Sequence, residues 1–594
     1  MFNALLVPSS LHDPAASARF ATRARPGRAR CGRVLSSLLA ACAWMPLAAA
    51  GAGIAGIPVP PPPSAAPVVA TLALHGPDAL EVSYRIPPFC KALTFRNRGM
   101  RPETAALVRK DWAPADDCTA IDFQSIRPRH AACTTLRVRV PATTRARDRV
   151  LYDGVQPWAQ PFGDGIYAHT AAYAVNAGCG PVAWQFSTPG GTVMVDGSAA
   201  AQGVAQPPSA ASAAGMPALL LAQPYRADAP PFQADGQVDD AVRSLLVKTL
   251  EQARHALQAM LPGLSFAPGY VLASGAREPV LRSDAPSPRV LHLLVPAQPP
   301  ADLAAQARTL IAHELAHLGQ PDRWNEAWRL DLPAIREGGA EFLRLAASAR
   351  LDWLGEAQLQ DELEAAVNGC LAAAGDRPWH AFAQRNDGDN ARRCGLTLHL
   401  LGLAPAPGKP DALARLQAYY RQGRDGTRTD FAHALECGAD AACTPRRLPQ
   451  VLGGQALAEV VRDAARRPDS PLHAQPAWGP ALVEVMAFRQ LEALMRADCH
   501  GGVNLARDKA APRIGPGVRC GVLRTGMVVA TAEGLPLFAD ARAVKASSQA
   551  CRQRGATTLG LQDGRTVTLR CGPAEALPAA VFGVDGARAL VQKH

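Results

Sequence analysis

The sequence predicts a multidomain α+β protein: a β-rich N-terminal domain, a mainly helical middle domain and a small β-rich C-terminal domain. At 594 residues the chain is longer than one hydrophobic core organises, and 48% hydrophobic content suits several globular units. Short alternating apolar and polar runs occupy residues 68–198 and return after 499. Between them, apolar residues recur at helical spacing.

The first 50 residues have the make-up of an export signal. Arginines crowd the start, an apolar segment runs from Val34 to Leu47, and small residues follow at Ala48, Ala49 and Ala50. Leu39 to Cys42 also has the form of a lipoprotein box, but only Val34 to Leu38 of the apolar run would precede it. Soluble export to a periplasmic or extracellular location is therefore the preferred reading. A proline-rich tether, 51–67, separates this segment from the first domain, 68–198. In that domain Val69 to Leu74, Leu80 to Ile86, Leu136 to Val140, Val182 to Phe186 and Val193 to Val195 read as strands, and His169 reads as a structural hydrogen-bonding residue. Residues 199–217 read as a small-residue linker.

The middle domain, 218–498, opens with helical spacing over Val238 to Leu261, then strand-like Gly269 to Ala273 and Val290 to Val295. Asp302 stands where the next helix needs its N-cap, and Gly319 with Pro321 ends that helix. Inside it lies His313-Glu314-Leu315-Ala316-His317. Residues four apart share a helix face, so two imidazoles can meet one metal ion with Glu314 beside it. Zinc needs a third protein ligand, and twenty positions beyond His317 stands Glu337, in Arg336-Glu337-Gly338-Gly339-Ala340-Glu341-Phe342. The bland reading of these residues is an amphipathic core helix with satisfied histidines, followed by a solvated acidic face. Trp324 and Trp328, between the two segments, read as packing residues.

His-Glu-Leu-Ala-His followed by a helix with Glu-Gly-x-Ala-Glu resembles the gluzincin metallopeptidases, among them thermolysin, aminopeptidase N and the glycyl aminopeptidases. The resemblance implies a thermolysin-like catalytic domain with Zn²⁺ on His313, His317 and Glu337. Glu314 would be the general base toward a zinc-bound water, and Glu341 would hydrogen-bond the first histidine. It implies a peptide or protein substrate and an edge strand just before the zinc helix to pair with the substrate backbone, here Val290 to Val295. Aminopeptidases of the group bind the free N-terminus through a Gly-x-Met-Glu-Asn segment. Gly275-Ala276-Arg277-Glu278-Pro279 departs from that pattern, and Glu278 is its substrate-binding candidate. They also place a tyrosine three residues before a helix glycine to steady the oxyanion. In Ala391-Arg392-Arg393-Cys394-Gly395 that place holds Arg392, which offers charge and fixed donors but no proton near neutral pH, so weak or narrow activity is expected. Tyr419, Tyr420 and His399 are the other residues weighed for that role.

Residues 499–594 return to short β-type runs around a helix-like Ala539 to Arg552. Met527 to Leu537 resembles the Gly-Asp-x-Ile segment of a PDZ domain, a module glycyl aminopeptidases carry in the same place. Twelve cysteines follow Cys31 and Cys42 with no C-x-x-C pair, which argues for six disulfides in an oxidising compartment; Cys437 with Cys443 and Cys551 with Cys571 are the simplest pairs. A net charge of +11 falls to +6 without the first 50 residues, and no Lys/Arg cluster alternates with aromatics, so nucleic acid is not an expected partner. No integral membrane span is expected after the export segment, and the sequence sets no oligomeric state. The competing function is a degenerate metallopeptidase that binds peptides or envelope partners with little hydrolysis; a structural zinc would need a fourth ligand, and no Cys or His nearby supplies one.

Overall fold

The computed structural model describes residues from 68 to 590. The segments of four or more residues outside the description are 97–105, 144–158, 204–215, 225–231, 277–280, 322–331, 380–387, 405–410, 426–429, 501–504 and 573–576, with a few shorter ones. The export segment, the proline tether, Trp324 and Trp328 lie outside the described residues.

The N-terminal region is built from strands in which alternate residues are buried. β1 (Val68–Leu74) and β2 (Ala79–Arg85) form an antiparallel hairpin extended by β3 (Thr135–Pro141). The burial of β3 alternates residue by residue, putting Leu136, Val138 and Val140 inside. A second sheet contains β4 (Gly165–His169), and the chain then returns through β5 (Val182–Ser187), which pairs in parallel with β1. β6 (Thr192–Val195) and β7 (Pro217–Leu221) belong to the same five-stranded sheet as β4, β7 lying between β6 and β4. The sequence reading ends this domain near 198 and starts the next at 218, yet β7 carries it to Leu221. The apolar run from Ala218 to Leu221 has too little polar contrast to announce which sheet it joins. His169 Nδ1 accepts from Ala171 N at 3.3 Å, a capping role.

The middle region opens with a sheet in the order β8 (Phe232–Ala234), β9 (Tyr270–Ala276), β11 (Val290–Pro296), β10 (Arg282–Ser287). β8, β9 and β11 run parallel and β10 runs antiparallel to β11. This corrects the edge-strand expectation: Val290 to Val295 is internal, and the edge is β10. The physics is consistent with the sequences. β11 is apolar almost throughout and every residue of it is buried, as a strand covered on both faces must be. β10 contains Arg282, Asp284 and Pro286 and shifts register between Asp284 and Ser287, features that suit an unpaired edge.

Helices pack beyond this sheet. They include α1 (Asp240–Met260), α2 (Leu303–Gly319), α3 (Leu332–Arg350), α4 (Glu356–Ala374), α5 (Gly388–Gly402) and α6 (Ala412–Arg424), followed by further helices up to Asp498. Their apolar faces form one core with the sheet, including Leu310, Ile311, Leu315, Phe342 and Leu398. Asp302 occupies the N-cap position of α2 without a side-chain cap bond; its carboxylate instead accepts from Gln306 Nε2 at 3.0 Å. α3 and α5 cross at two glycines. A Cβ at Gly395 would stand 1.9 Å from Ala334 O, and one at Gly338 would stand 2.0 Å from Gly395 C, so only glycine permits this approach.

The C-terminal region holds a sheet in the order Leu535–Pro536, Val529–Ala532, Ala556–Leu561, Thr566–Arg570, packed on the helix Ala541–Arg554. The chain then leaves this unit. Val581–Val584 pairs with Leu472–Gln475, and Asn368 of α4 clamps the Phe582 backbone, donating to its O at 2.8 Å and accepting from its N at 2.9 Å. Six disulfides tie the molecule: Cys90–Cys179, Cys118–Cys133, Cys370–Cys394, Cys437–Cys443, Cys499–Cys520 and Cys551–Cys571. Cys370–Cys394 joins α4 to α5. Among the described residues no helix is long and apolar enough to cross a membrane.

Candidate metal centre

α2 presents His313 and His317 on one face, and α3 brings Glu337 to meet them. His313 Nε2 lies 3.2 Å from His317 Nε2 and 3.2 Å from Glu337 Oε2, and His317 Nε2 lies 3.6 Å from Glu337 Oε1. Bonds of ~2.0 Å from one tetrahedral ion to two imidazoles and a carboxylate would put neighbouring ligand atoms about 3.3 Å apart; the two histidines meet Glu337 through different oxygens, and one ligand atom from each of the three side chains lies within 4.8 Å of the others, so the set can gather on one ion. Two nitrogens and one carboxylate oxygen are also the donor set zinc accepts in an open site. The His313 ring is buried and the His317 side chain is 10% exposed, while Glu337 keeps 30% of its side chain exposed. The site therefore has a protein side and an open side.

Each ring is oriented by its other nitrogen. His313 Nδ1 donates to Glu341 Oε2 at 3.1 Å. Burial alone would raise the Glu341 pKa, but Arg344, fully buried beside it, and the bond to His313 hold it well below the ordinary carboxylate value. Arg344 grips Glu341 with Nη2 to Oε1 at 2.7 Å and Nε to Oε2 at 3.0 Å, and also bonds Glu362 of α4. An anionic Glu341 only accepts, so His313 carries its proton on Nδ1 and turns the Nε2 lone pair to the centre. The other ring is served by Gln320, whose Oε1 lies 3.1 Å from His317 Nδ1.

Charge balance follows from the same contacts. Burial lowers the His317 pKa. Burial and Arg392 act in the same direction on His313, but its bonds to Glu337 and Glu341 prevail and raise it. Burial would raise Glu337, and the two histidines and Arg392 instead hold it far below the usual range, so it stands ready as an anionic ligand.

Glu314 acts electrostatically on His317 without joining the three converging groups. It is 8% exposed, and its Oε1 accepts from Ser283 Oγ of the edge strand β10 at 2.9 Å. Arg392, on α5, donates from Nε to Glu337 Oε2 at 3.3 Å. The glycine crossing explains its position: Gly395 and Gly338 set α5 against α3, and Arg392 lies one turn before the first while Glu337 directly precedes the second. Of the other residues weighed for the oxyanion, Tyr420 contacts Gln320 at 3.3 Å, and Tyr419 and His399 pack around Phe431. Glu278 lies outside the described residues.

The structure brings His313, His317 and Glu337 together as the sequence pattern expects, and four further residues contact this group or its neighbours without having been expected there. Gln320, three positions after His317, carried a spacing signal that could have found it. Arg344 could have been found as the cation three after Glu341. Ser283 and Glu362 carried none, because tertiary packing alone brings β10 and α4 to the site.

No family model and no curated protein matches the chain. Among solved structures it is similar to an aminopeptidase N family protein from Idiomarina loihiensis, with 11% identity and a TM-score of 0.48 over 89% of this chain and 100% of that one. It is also similar to an M1 zinc metallopeptidase from Deinococcus radiodurans, with 15% identity and a TM-score of 0.35 over 67% of this chain and 92% of that one. Yeast LTA4 hydrolase is similar at 11% identity and a TM-score of 0.35, over 73% of this chain and 72% of that one.

Proposed function

We propose that this chain is an exported zinc metallopeptidase that hydrolyses peptide bonds. The observation that carries the reading is the convergence of His313 Nε2, His317 Nε2 and the Glu337 carboxylate within 4.8 Å of one another, with Glu314, whose charge acts on His317, outside the set. Zinc, when bound there, would supply a Lewis acid for water and for the scissile carbonyl. Glu314 takes a proton from the attacking water as its oxygen bonds to the carbonyl carbon, then gives that proton to the amine nitrogen as the C–N bond breaks. Ser283 fixes the rotamer of Glu314. Arg392 adds positive charge beside Glu337, where charge develops on the carbonyl oxygen.

The substrate backbone would pair with the edge strand β10, which among the described residues has a strand on one side only, whereas β11 is paired on both. Glu278 remains a proposed contact for a free N-terminus, and aminopeptidase action stays part of the proposal. The six disulfides suit an oxidising, extracytoplasmic compartment. The strand and helix order of 529–570 supports a PDZ-like C-terminal module as part of the same reading.

One observation favours the competing function, a metallopeptidase-like binder with little turnover. Arg392 stands where a proton-donating tyrosine is expected, and it is engaged with Glu337. The deciding experiment is metal analysis of the purified protein with a peptide-library digest by wild type and Glu314→Gln. Stoichiometric zinc with cleavage only by wild type supports the peptidase; zinc with no cleavage by either selects the binder.

A further inference from the structure

α2 ends at Gly319, and the next residue, Gln320, is 2% exposed. Its amide makes contacts on both sides. Oε1 lies 3.1 Å from His317 Nδ1, and Nε2 donates to Arg336 O at 2.7 Å and to Tyr420 Oη at 3.3 Å. A backbone carbonyl only accepts, so the amide nitrogen must face Arg336 and the amide oxygen must face His317. An amide oxygen also only accepts. His317 therefore holds its proton on Nδ1, and its Nε2 lone pair is directed at His313 Nε2 and Glu337.

The second contact matters as much as the first. Arg336 directly precedes Glu337 on α3, so one side chain fixes the ring of a ligand on α2 and the backbone beside a ligand on α3. Space for this amide is made at Gly339: a Cβ there would lie 3.0 Å from Gln320 Nε2, 2.3 Å from Tyr420 Oη and 3.1 Å from His399 Nε2.

We infer that Gln320 is a positioning residue of the metal centre: it sets the His317 tautomer and staples the two ligand helices together. This rests on the zinc reading above. It is a neutral counterpart to the anionic Glu341 behind His313, and it deepens the ligand set from three residues to a braced unit.

The test is zinc affinity of the full-length protein, measured by competition with a chromogenic chelator, alongside thermal stability of the metal-free form. Gln320→Ala should weaken zinc binding by about 10- to 100-fold, the usual loss when a partner behind a ligand is removed. Gln320→Glu is close in shape and tests the staple. It still accepts from His317 but repels Arg336 O, so it too should weaken zinc, by less than alanine does. Tyr420→Phe leaves the Arg336 bond in place and should bind zinc within about twofold of wild type. The tautomer is read directly from imidazole ¹⁵N shifts of the metal-free protein: wild-type His317 should show Nδ1 protonated and Gln320→Ala a mixture. If wild type binds zinc tightly and Gln320→Ala and Gln320→Glu bind it equally tightly, the inference is overturned while the metal centre stands. If wild type binds no zinc, the metal centre itself fails. Should Gln320→Ala fail to fold, Gln320→Glu and the tautomer measurement on wild type still decide.

Discussion

The wall carrying His313, His317 and Glu337 is two buried helices braced from behind by Glu341, Arg344 and Gln320, whereas the other wall is a polar edge strand and the start of α5. From the first wall, each ligand is held by partners that are themselves held. From the second, Ser283 reaches Glu314 from an element whose sequence gives no sign of a site, and Arg392 reaches Glu337 from a segment marked only by its place three residues before Gly395. Under the proposed zinc-peptidase function, the contrast would separate what binds the metal from what shapes turnover. Changes on the first wall should remove the ion, and changes on the second should alter rates with the ion in place.

The sharpest way to break that division is Glu314, which belongs to the metal wall by helix and to the chemistry by position. Glu314→Gln should retain stoichiometric zinc and lose about 10²- to 10⁴-fold in kcat, the range general acid–base groups supply. His317→Ala, as the control, should lose the metal as well, read by elemental analysis. Loss of zinc in Glu314→Gln would make that residue a ligand and collapse the distinction.

How much could be read in advance follows the same division. His313, Glu314, His317, Glu337 and Glu341 were legible because helical periodicity puts residues four apart on one face and because zinc restricts its ligands to a few residue types. Helix α1 and the strands of the N-terminal hairpin were legible for the same reason, a strong local period. The edge strand was not. An apolar run such as Val290 to Val295 looks the same whether it ends a sheet or sits inside it, and only its neighbours decide. The return of Val581–Val584 onto Leu472–Gln475 was equally invisible, since pairing across more than a hundred residues leaves no local trace.

Arg392 tests the second wall directly. If it stabilises charge on the carbonyl oxygen, Arg392→Ala should lower kcat by about 10²- to 10³-fold with zinc affinity nearly unchanged. If it serves only to orient Glu337, zinc affinity falls and kcat of the fully loaded enzyme does not. Measuring both on one preparation separates the two roles, and an unchanged kcat sinks the oxyanion assignment.

A smaller effect is expected at Ser283. Its hydroxyl makes one hydrogen bond to Glu314, so Ser283→Ala should cost about 0.5–1.5 kcal/mol of transition-state stabilisation, roughly three- to tenfold in kcat. KM should stay near wild type. A change in KM alone would move Ser283 from positioning the base to binding substrate.

The last effect is on stability and not on turnover, and it lies on the strand paired with β10, where β11 meets the N-terminal sheet. His292 of β11 is fully buried, its ring 4.2 Å from that of Tyr167 on β4, and its Nε2 is 3.0 Å from Ser274 Oγ. Burial pushes its pKa down to about 3 from an ordinary 6.5. The folded state thus holds the ring neutral where the unfolded chain would protonate it, and the unfolded state binds more protons below pH 6.5. Stability contributed by this ring is complete above that pH and drains away as pH falls toward 3, at no more than about 1.4 kcal/mol per pH unit. The window from pH 6.5 to 5 isolates it from ordinary carboxylates. His399, pushed down to about 4 by burial despite its bond to Gly395 O, adds a loss of the same sign, so the signature of His292 is a difference. His292→Gln can still hydrogen-bond and cannot titrate, so urea unfolding of the variant should show a shallower fall across that window than wild type. Identical slopes would mean that the ring is already protonated in the fold or that this interface opens before the rest of the molecule unfolds.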